Sequence, residues 1–254
     1  MISKIKYIIW FVLRPKYYKH FFSLIIRKFL TNHDTTQHKI RAQEWAARNV
    51  LSYFDALKKI DIRGNLTGLD DNTIAEAKKL ELNSSVTMGG GSHIHLLYDC
   101  VRSIRPKKVI ETGVAYGWSS LAILKGLADN NYGNLYSVDM PYPTKKNEKD
   151  VGIVVPEYLR KNWTLIRKPD NPGILDALSK AEENFDLCHY DSDKSWWGRK
   201  YAYLILWKSL NSKGIFISDD INDNLYFSEF VKIYSVKYAV IKYQGKFVGI
   251  IRKP

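Results

Sequence analysis

The stretch Val109-Ile110-Glu111-Thr112-Gly113-Val114-Ala115-Tyr116-Gly117-Trp118-Ser119-Ser120 decides how the rest of the chain is read. A short β-branched run ends on an acid, two glycines follow four residues apart, and a helical pattern opens behind them. Gly113 and Gly117 let the backbone turn tightly and come close to a ligand at the end of a buried strand. Downstream, strands are expected at Lys108–Glu111, Leu135–Val138, Thr164–Arg167, Phe185–His189 and Gly214–Ser218, with helical stretches near Ser119–Ala128, Val155–Lys161, Ile174–Glu183 and Arg199–Leu210. Such alternation predicts a parallel sheet covered on both faces through right-handed crossovers. After Asp220 the pattern changes to a helix at Phe227–Tyr234 and a hairpin, Tyr238–Tyr243 and Lys246–Ile251 around Gln244-Gly245. Upstream, Gln37–Ile60 reads as one amphipathic helix and Asp71–Leu82 as a shorter one. Met88-Gly89-Gly90-Gly91-Ser92 is a turn leading into a helix over His93–Ser103.

The glycine spacing is G-x-x-x-G, so the G-x-G-x-x-G dinucleotide pattern is not met, and Glu111 stands directly ahead of it. A pyrophosphate favours helix-terminal N–H groups without a nearby carboxylate, whereas a zwitterionic amino-acid tail on a sulfonium accepts an acidic neighbour. Asp139 closes the next strand, Leu135-Tyr136-Ser137-Val138, where a carboxylate can accept both hydroxyls of a ribose.

Glu111-Thr112-Gly113 through Gly117, Asp139, and then Phe185-Asp186-Leu187 with Asp191 resemble the class I S-adenosylmethionine-dependent methyltransferases. Within these, the chain is most similar to the small, often metal-dependent O-methyltransferases of the catechol O-methyltransferase type and to bacterial relatives that methylate sugars and natural products. The resemblance covers about residues 85–251. It implies an α/β, Rossmann-like fold with a seven-stranded, mostly parallel sheet completed by an antiparallel C-terminal hairpin. It also implies S-adenosylmethionine as cofactor, held by Met88, Glu111, Gly113, Ala115, Tyr116, Gly117, Ser119, Asp139 and Asp191. Residues 1–84 carry no such likeness and are expected to form a helical, basic N-terminal extension to a methyltransferase domain at 85–254.

Asp191 follows the fourth expected strand and Asp219-Asp220 the fifth, so a parallel sheet sets all three at one edge. Three converging carboxylates repel one another unless a cation neutralises them, and an all-oxygen set suits Mg²⁺. The resemblance gives Asp191, Asp219 and Asp220 as metal ligands and Lys194 as general base, with Asp191 beside it in the catalytic pair. The family often has an amide in place of Asp220, and many bacterial relatives have a histidine in place of Lys194. A lysine beside a metal site can be depressed toward neutral pKa. His189, inside a strand, reads as a hydrogen-bonded core residue. Trp196 and Trp197 suit either a pocket wall or ordinary packing.

Length and charge bound the rest. The 254 residues, 45% hydrophobic, can bury a full core, which excludes a disordered tail or a fibrous chain. The net charge of +13 lies wholly at the ends: seven basic and no acidic residues in 1–30, six and none in 230–254. The neutral body between them argues against a nucleic-acid partner. Residues 1–30 alternate apolar runs with basic residues around Pro15, too short to span a bilayer and without a signal-peptide cleavage site. They suit either an anionic membrane surface or packing on the protein or a partner subunit, with a homo-oligomer as one form of the latter. Cys100 and Cys188 are set far apart in apolar surroundings, as buried thiols in a reducing cytoplasm are.

Other chemistries of this fold lack their residues. No Asn/Asp-Pro-Pro-aromatic loop follows the fourth strand, and neither cysteine follows a proline as a C5 nucleophile requires. The sequence therefore predicts an S-adenosylmethionine-dependent, Mg²⁺-assisted O-methyltransferase acting on a hydroxyl of a sugar, glycan intermediate or natural product. The alternative is a non-catalytic membrane-surface or scaffold protein that retains the fold.

Overall fold

A computed structural model describes residues 2–30, 32–143 and 147–254, and the side chains from residue 5 onward within these. Six helices come first: α1 (Ile2–Val12), α2 (Tyr18–Phe29), α3 (Thr36–Arg48), α4 (Tyr53–Lys59), α5 (Asp71–Glu81) and α6 (Ile94–Ile104). The alternating region follows as β1 (Lys108–Thr112), α7 (Trp118–Asp129), β2 (Asn134–Val138), β3 (Trp163–Ile166), α8 (Asp170–Ala181), β4 (Phe185–Tyr190), α9 (Trp196–Ser209) and β5 (Leu210–Ser218). It closes with α10 (Tyr226–Ile233), β6 (Tyr238–Tyr243) and β7 (Lys246–Arg252).

The seven strands lie in the order β3-β2-β1-β4-β5-β7-β6. The first five run parallel, and β7 pairs antiparallel with both β5 and β6. This is the expected parallel sheet with its C-terminal hairpin. The strand order reverses between β1 and β4, the topological switch point at which such sheets bind ligands.

Two expectations for the helical part change. Gln37–Ile60 is not one helix: α3 stops at Arg48 and α4 begins at Tyr53. Between them Leu51 N–H donates to the Val240 carbonyl (2.9 Å), and Val50 bridges to Val240, so the edge strand β6 captures the backbone that would have continued the helix. The stretch expected to be helical at Val155–Lys161 is a 3₁₀ segment, Glu157–Asn162, opening behind Pro156. The expected division at 84/85 is also no break in packing. Ala56, Leu57, Ile60, Ile62, Leu69 and Ala77 share one apolar core with Leu121, Ile123, Leu187 and Ile217.

Within residues 2–30 Phe11 and Tyr17 are buried, in contact with aromatic side chains of the same segment. Phe11 stacks on Phe21, and Arg27 donates to Asp193 Oδ2 at 2.6 Å. The same two helices leave Ile5, Ile8, Ile9, Val12, Leu13, Phe22, Ile26 and Phe29 exposed. No helix among the described residues is long and apolar enough to cross a membrane.

Candidate active site

The C-terminal edge of the sheet is built by backbone pairing that runs past the strand ends. Gly113 N–H donates to Val138 O (2.8 Å), Asp139 N–H to Ile166 O (3.0 Å), Asp191 N–H to Thr112 O (2.9 Å) and Asp219 N–H to Tyr190 O (3.0 Å). Register alone therefore carries these four residues to one line. Gly113 has φ +83°, and a Cβ there would lie 2.2 Å from the Asp191 carbonyl oxygen, so only glycine lets the β1 turn pass under the β4 loop. Gly117, φ +92°, caps α7.

Above this edge lies a cavity of about 660 Å³, walled by Gly113, Ala115, Tyr116, Ser119, Asp139, Asp191 and Lys194 among others. Seven of the residues expected at the site are thus brought together. Asp139 is nearly buried. Its Oδ1 accepts from Val114 N–H (3.1 Å), and its other oxygen is held by the Arg167 guanidinium. Burial raises its pKa against the pull of Arg167. Arg167 also pairs with Glu148 at 3.0 Å.

The other expected residues lie elsewhere. Glu111 does not face the cavity: it is fully buried, and its Oε2 accepts from Ser120 Oγ (2.5 Å) and Ser137 Oγ (2.7 Å). The parallel register sets Glu111 opposite Ser137 on one side and His189 on the other, so its carboxylate belongs to a polar row inside the sheet. His189 Nδ1 lies 3.5 Å from Glu111 Oε1 and Nε2 lies 3.7 Å from Asp219 Oδ1. Burial lowers the His189 pKa, but the two flanking carboxylates outweigh it and the net shift is upward, to about 10. Met88 is also off the wall: its N–H donates to Tyr116 Oη (3.1 Å), while the neighbouring Gly89, Gly90 and Gly91 line the cavity. Gly117 shapes the turn from behind.

Asp191, Asp219 and Asp220 reach one edge, but not as a metal-ligand set. Among the described residues no group of three or more His, Cys, Asp or Glu side chains is gathered as a cation would require. The Lys194 ammonium bridges Asp191 and Asp220, Lys246 approaches Asp220 at 3.7 Å, and Asp219 faces His189. As arranged, the three carboxylates do not fit a divalent cation, because their charges are met by cations of the chain itself. Nor is Lys194 depressed toward neutrality: burial lowers its pKa, but Asp191 and Asp220 overcome this and hold it protonated. Asp191 is shifted upward too, its pKa raised by burial and by the charge of Asp219. Ser92 Oγ donates to its Oδ2 at 3.1 Å.

Asp170, Arg167 and the N-terminal helices were not expected at the site. Asp170 lies just past β3, accepts from Ser192 Oγ (2.6 Å), and has its pKa raised by burial to about 6. Unlike Asp139 and Asp191, which directly follow their strands, it opens α8 four residues beyond β3, so the strand-end rule does not single it out. Nothing in the sequence signalled that Tyr7, Lys16, Lys19, His20 and Arg27 would line the same cavity. Trp196 does not wall it. It stacks on His33 at 4.0 Å and donates to Glu229, which is packing.

Comparison with known proteins agrees with this geometry. Residues 110–221 match the family described as Methyltransferase domain. A search of curated proteins by sequence finds no match. Among solved structures, the chain is similar to an SAH-bound methyltransferase of Podospora anserina (15% identity, 87% of this chain and 97% of that one, TM-score 0.54). It is similar to an O-methyltransferase of Bacillus cereus in complex with SAH (17% identity, 84% and 100%, TM-score 0.54). A third similar structure is the O-methyltransferase TomG of Streptomyces achromogenes in complex with SAM (15% identity, 84% and 99%, TM-score 0.56). Residues 110–221 thus match a methyltransferase domain, and the chain has the Rossmann-like fold of the class I S-adenosylmethionine-dependent methyltransferases.

Proposed function

We propose that the protein is an S-adenosylmethionine-dependent O-methyltransferase acting on a hydroxyl of a sugar, glycan intermediate or natural product. The observation that carries this reading is the meeting of two sets of residues in one cavity: the glycine turn with Asp139, and Asp191 with Lys194. When bound, S-adenosylmethionine supplies an electrophilic methyl group. Gly113, Ala115, Tyr116, Ser119 and Asp139 would hold it, with Asp139 kept in place by Val114 and Arg167 to accept ribose hydroxyls. The acceptor hydroxyl then belongs at Asp191 and Lys194. A protonated Lys194 stabilises the developing oxyanion, and the Asp191 carboxylate, made more basic by burial, takes the proton. Positioning does the remaining work, since in-line transfer needs no covalent intermediate.

Likeness to the Bacillus and Streptomyces O-methyltransferases supports the oxygen acceptor. We place the catalytic work in residues 85–254 and assign residues 1–30 to contact with a cytoplasmic membrane surface, on the strength of their exposed apolar side chains. The test of the main reading is a labelled-methyl screen over sugar and phenolic acceptors, with calorimetric titration of S-adenosylmethionine. Binding that weakens at least tenfold in Asp139→Ala supports it. Absence of binding to the wild type, or equal binding to the variant, refutes the cofactor assignment.

A further inference from the structure

We infer that the acceptor carries a phosphate or diphosphate ester, bound on the acceptor side of the cavity by Lys16, in the turn before α2, and by Lys19 and Arg27 of α2. This rests on the methyl-transfer reading and names the class of its substrate. Part of the basic N-terminal segment turns to the site: Lys16, Lys19, His20 and Arg27 line the same cavity as the candidate catalytic pair. Its neighbours fix the side of the cavity on which it sits. Arg27 bonds to Asp193, three residues' turn beyond β4, and Tyr7 and His20 feel the charge of that same aspartate. The glycine turn and Asp139 lie across β1 and β2.

Charge accounting along the wall leaves a cationic surplus. Asp139 is taken by Arg167, Asp191 by Lys194 and Asp193 by Arg27. Asp170, the remaining acidic wall residue, is engaged by the Ser192 hydroxyl at 2.6 Å and offsets one cation at most. Lys16 and Lys19, in contrast, have no carboxylate partner among the described residues; Lys16 only lies over the Tyr17 ring at 5.1 Å. Arg27 Nε is buried without a hydrogen-bond partner. Two unneutralised ammonium groups and an unsatisfied guanidinium N–H beside the cavity favour a group with several anionic oxygens over a single carboxylate.

The experiment uses the full chain saturated with S-adenosylhomocysteine and titrates inorganic pyrophosphate by calorimetry, with acetate as the monoanion. Saturable pyrophosphate binding is expected, with acetate at least tenfold weaker. Lys16→Met/Lys19→Met, two exposed positions, is expected to weaken pyrophosphate at least tenfold while leaving S-adenosylhomocysteine affinity within twofold. The inference is overturned if pyrophosphate does not bind, if acetate binds equally, or if the double variant binds as the wild type does. It is overturned as well if the variant loses S-adenosylhomocysteine instead, which would assign the lysines to the cofactor. A third arm adds phosphatidylcholine vesicles containing phosphatidic acid. Loss of vesicle binding with pyrophosphate binding intact would assign the lysines to a lipid surface and refute the cavity role. Failure of the wild type to bind S-adenosylhomocysteine at all strikes the cofactor reading, and is distinguishable from each of these.

Discussion

Lys194 concentrates the chemistry of the site in one side chain. Its ammonium lies between Asp191 and Asp220, which raises its own pKa and, in the proposed reaction, suits it to stabilise an oxyanion rather than accept a proton. Lys194→Met is expected to lower kcat by about 10²-fold, the scale of losing one group that stabilises developing charge. Methyl transfer in EDTA checks the arrangement independently. An unchanged rate supports the lysine bridge, and a tenfold loss restored by Mg²⁺ would mean that a cation displaces Lys194 from Asp191 and Asp220. Asp170 offers a different readout. Its folded pKa of about 6 exceeds the ordinary 3.8, so the folded state holds a proton that the unfolded state has released between these values. Stability therefore falls as pH rises from 4 to 6. Asp170→Asn should flatten that slope and, allowing for solvent screening at its half-buried position, stabilise the protein at pH 7 by about 1–2 kcal/mol, measured as denaturant midpoints across the range.

At the level of elements, the row Ser137–Glu111–His189 crosses β2, β1 and β4 and ends at Asp219 beyond β5. Buried carboxylates at both ends need the imidazolium between them. The His189 pKa is raised above 6.5, so its stabilisation is fully present below about pH 6.5 and is lost as pH rises through about 10. His189→Leu leaves two buried acids without their cation and should cost about 3–5 kcal/mol in urea unfolding at pH 7, with the loss shrinking at pH 10. A loss under 1 kcal/mol would mean that Glu111 and Asp219 do not depend on it. The β5–α10 turn is held from another element. Arg199 of α9, itself buried, donates to the Asp219 and Asp220 carbonyls at 3.1 and 2.8 Å and so fixes Asp220, whose φ is +51°. Strand-to-helix alternation was legible because period and burial repeat along the chain. The break in Gln37–Ile60 was not, since the competing backbone partner, Val240, lies nearly two hundred residues away.

For the whole molecule, the two N-terminal helices have two working faces. One side meets Asp193 and lines the cavity, and the other leaves Ile8, Ile9, Leu13, Phe22 and Phe29 in solvent. If that outer face meets membrane, the full chain should float with vesicles containing anionic lipid, and Ile9→Asp/Phe22→Asp should reduce the floated fraction severalfold without altering S-adenosylmethionine binding. Equal flotation of the variant would refute the membrane assignment. The excess charge at the ends takes on meaning only here. Read along the chain it said that the body between the ends is neutral, whereas folding turns part of the N-terminal excess onto the wall of the cavity.

The sequence by itself determined the sheet, its C-terminal hairpin, the glycine turn and the strand-end positions of Asp139, Asp191, Asp219 and Asp220, because strand register carries such residues to one edge whatever surrounds them. Only the tertiary structure decided where their charges go. Glu111 turns into the sheet against His189, Lys194 closes on two aspartates, Arg167 takes Asp139, and the N-terminal helices bring lysines to the cavity. Those pairings join residues from separate elements, and their balance is set by burial and proximity in space, for which sequence spacing holds no record.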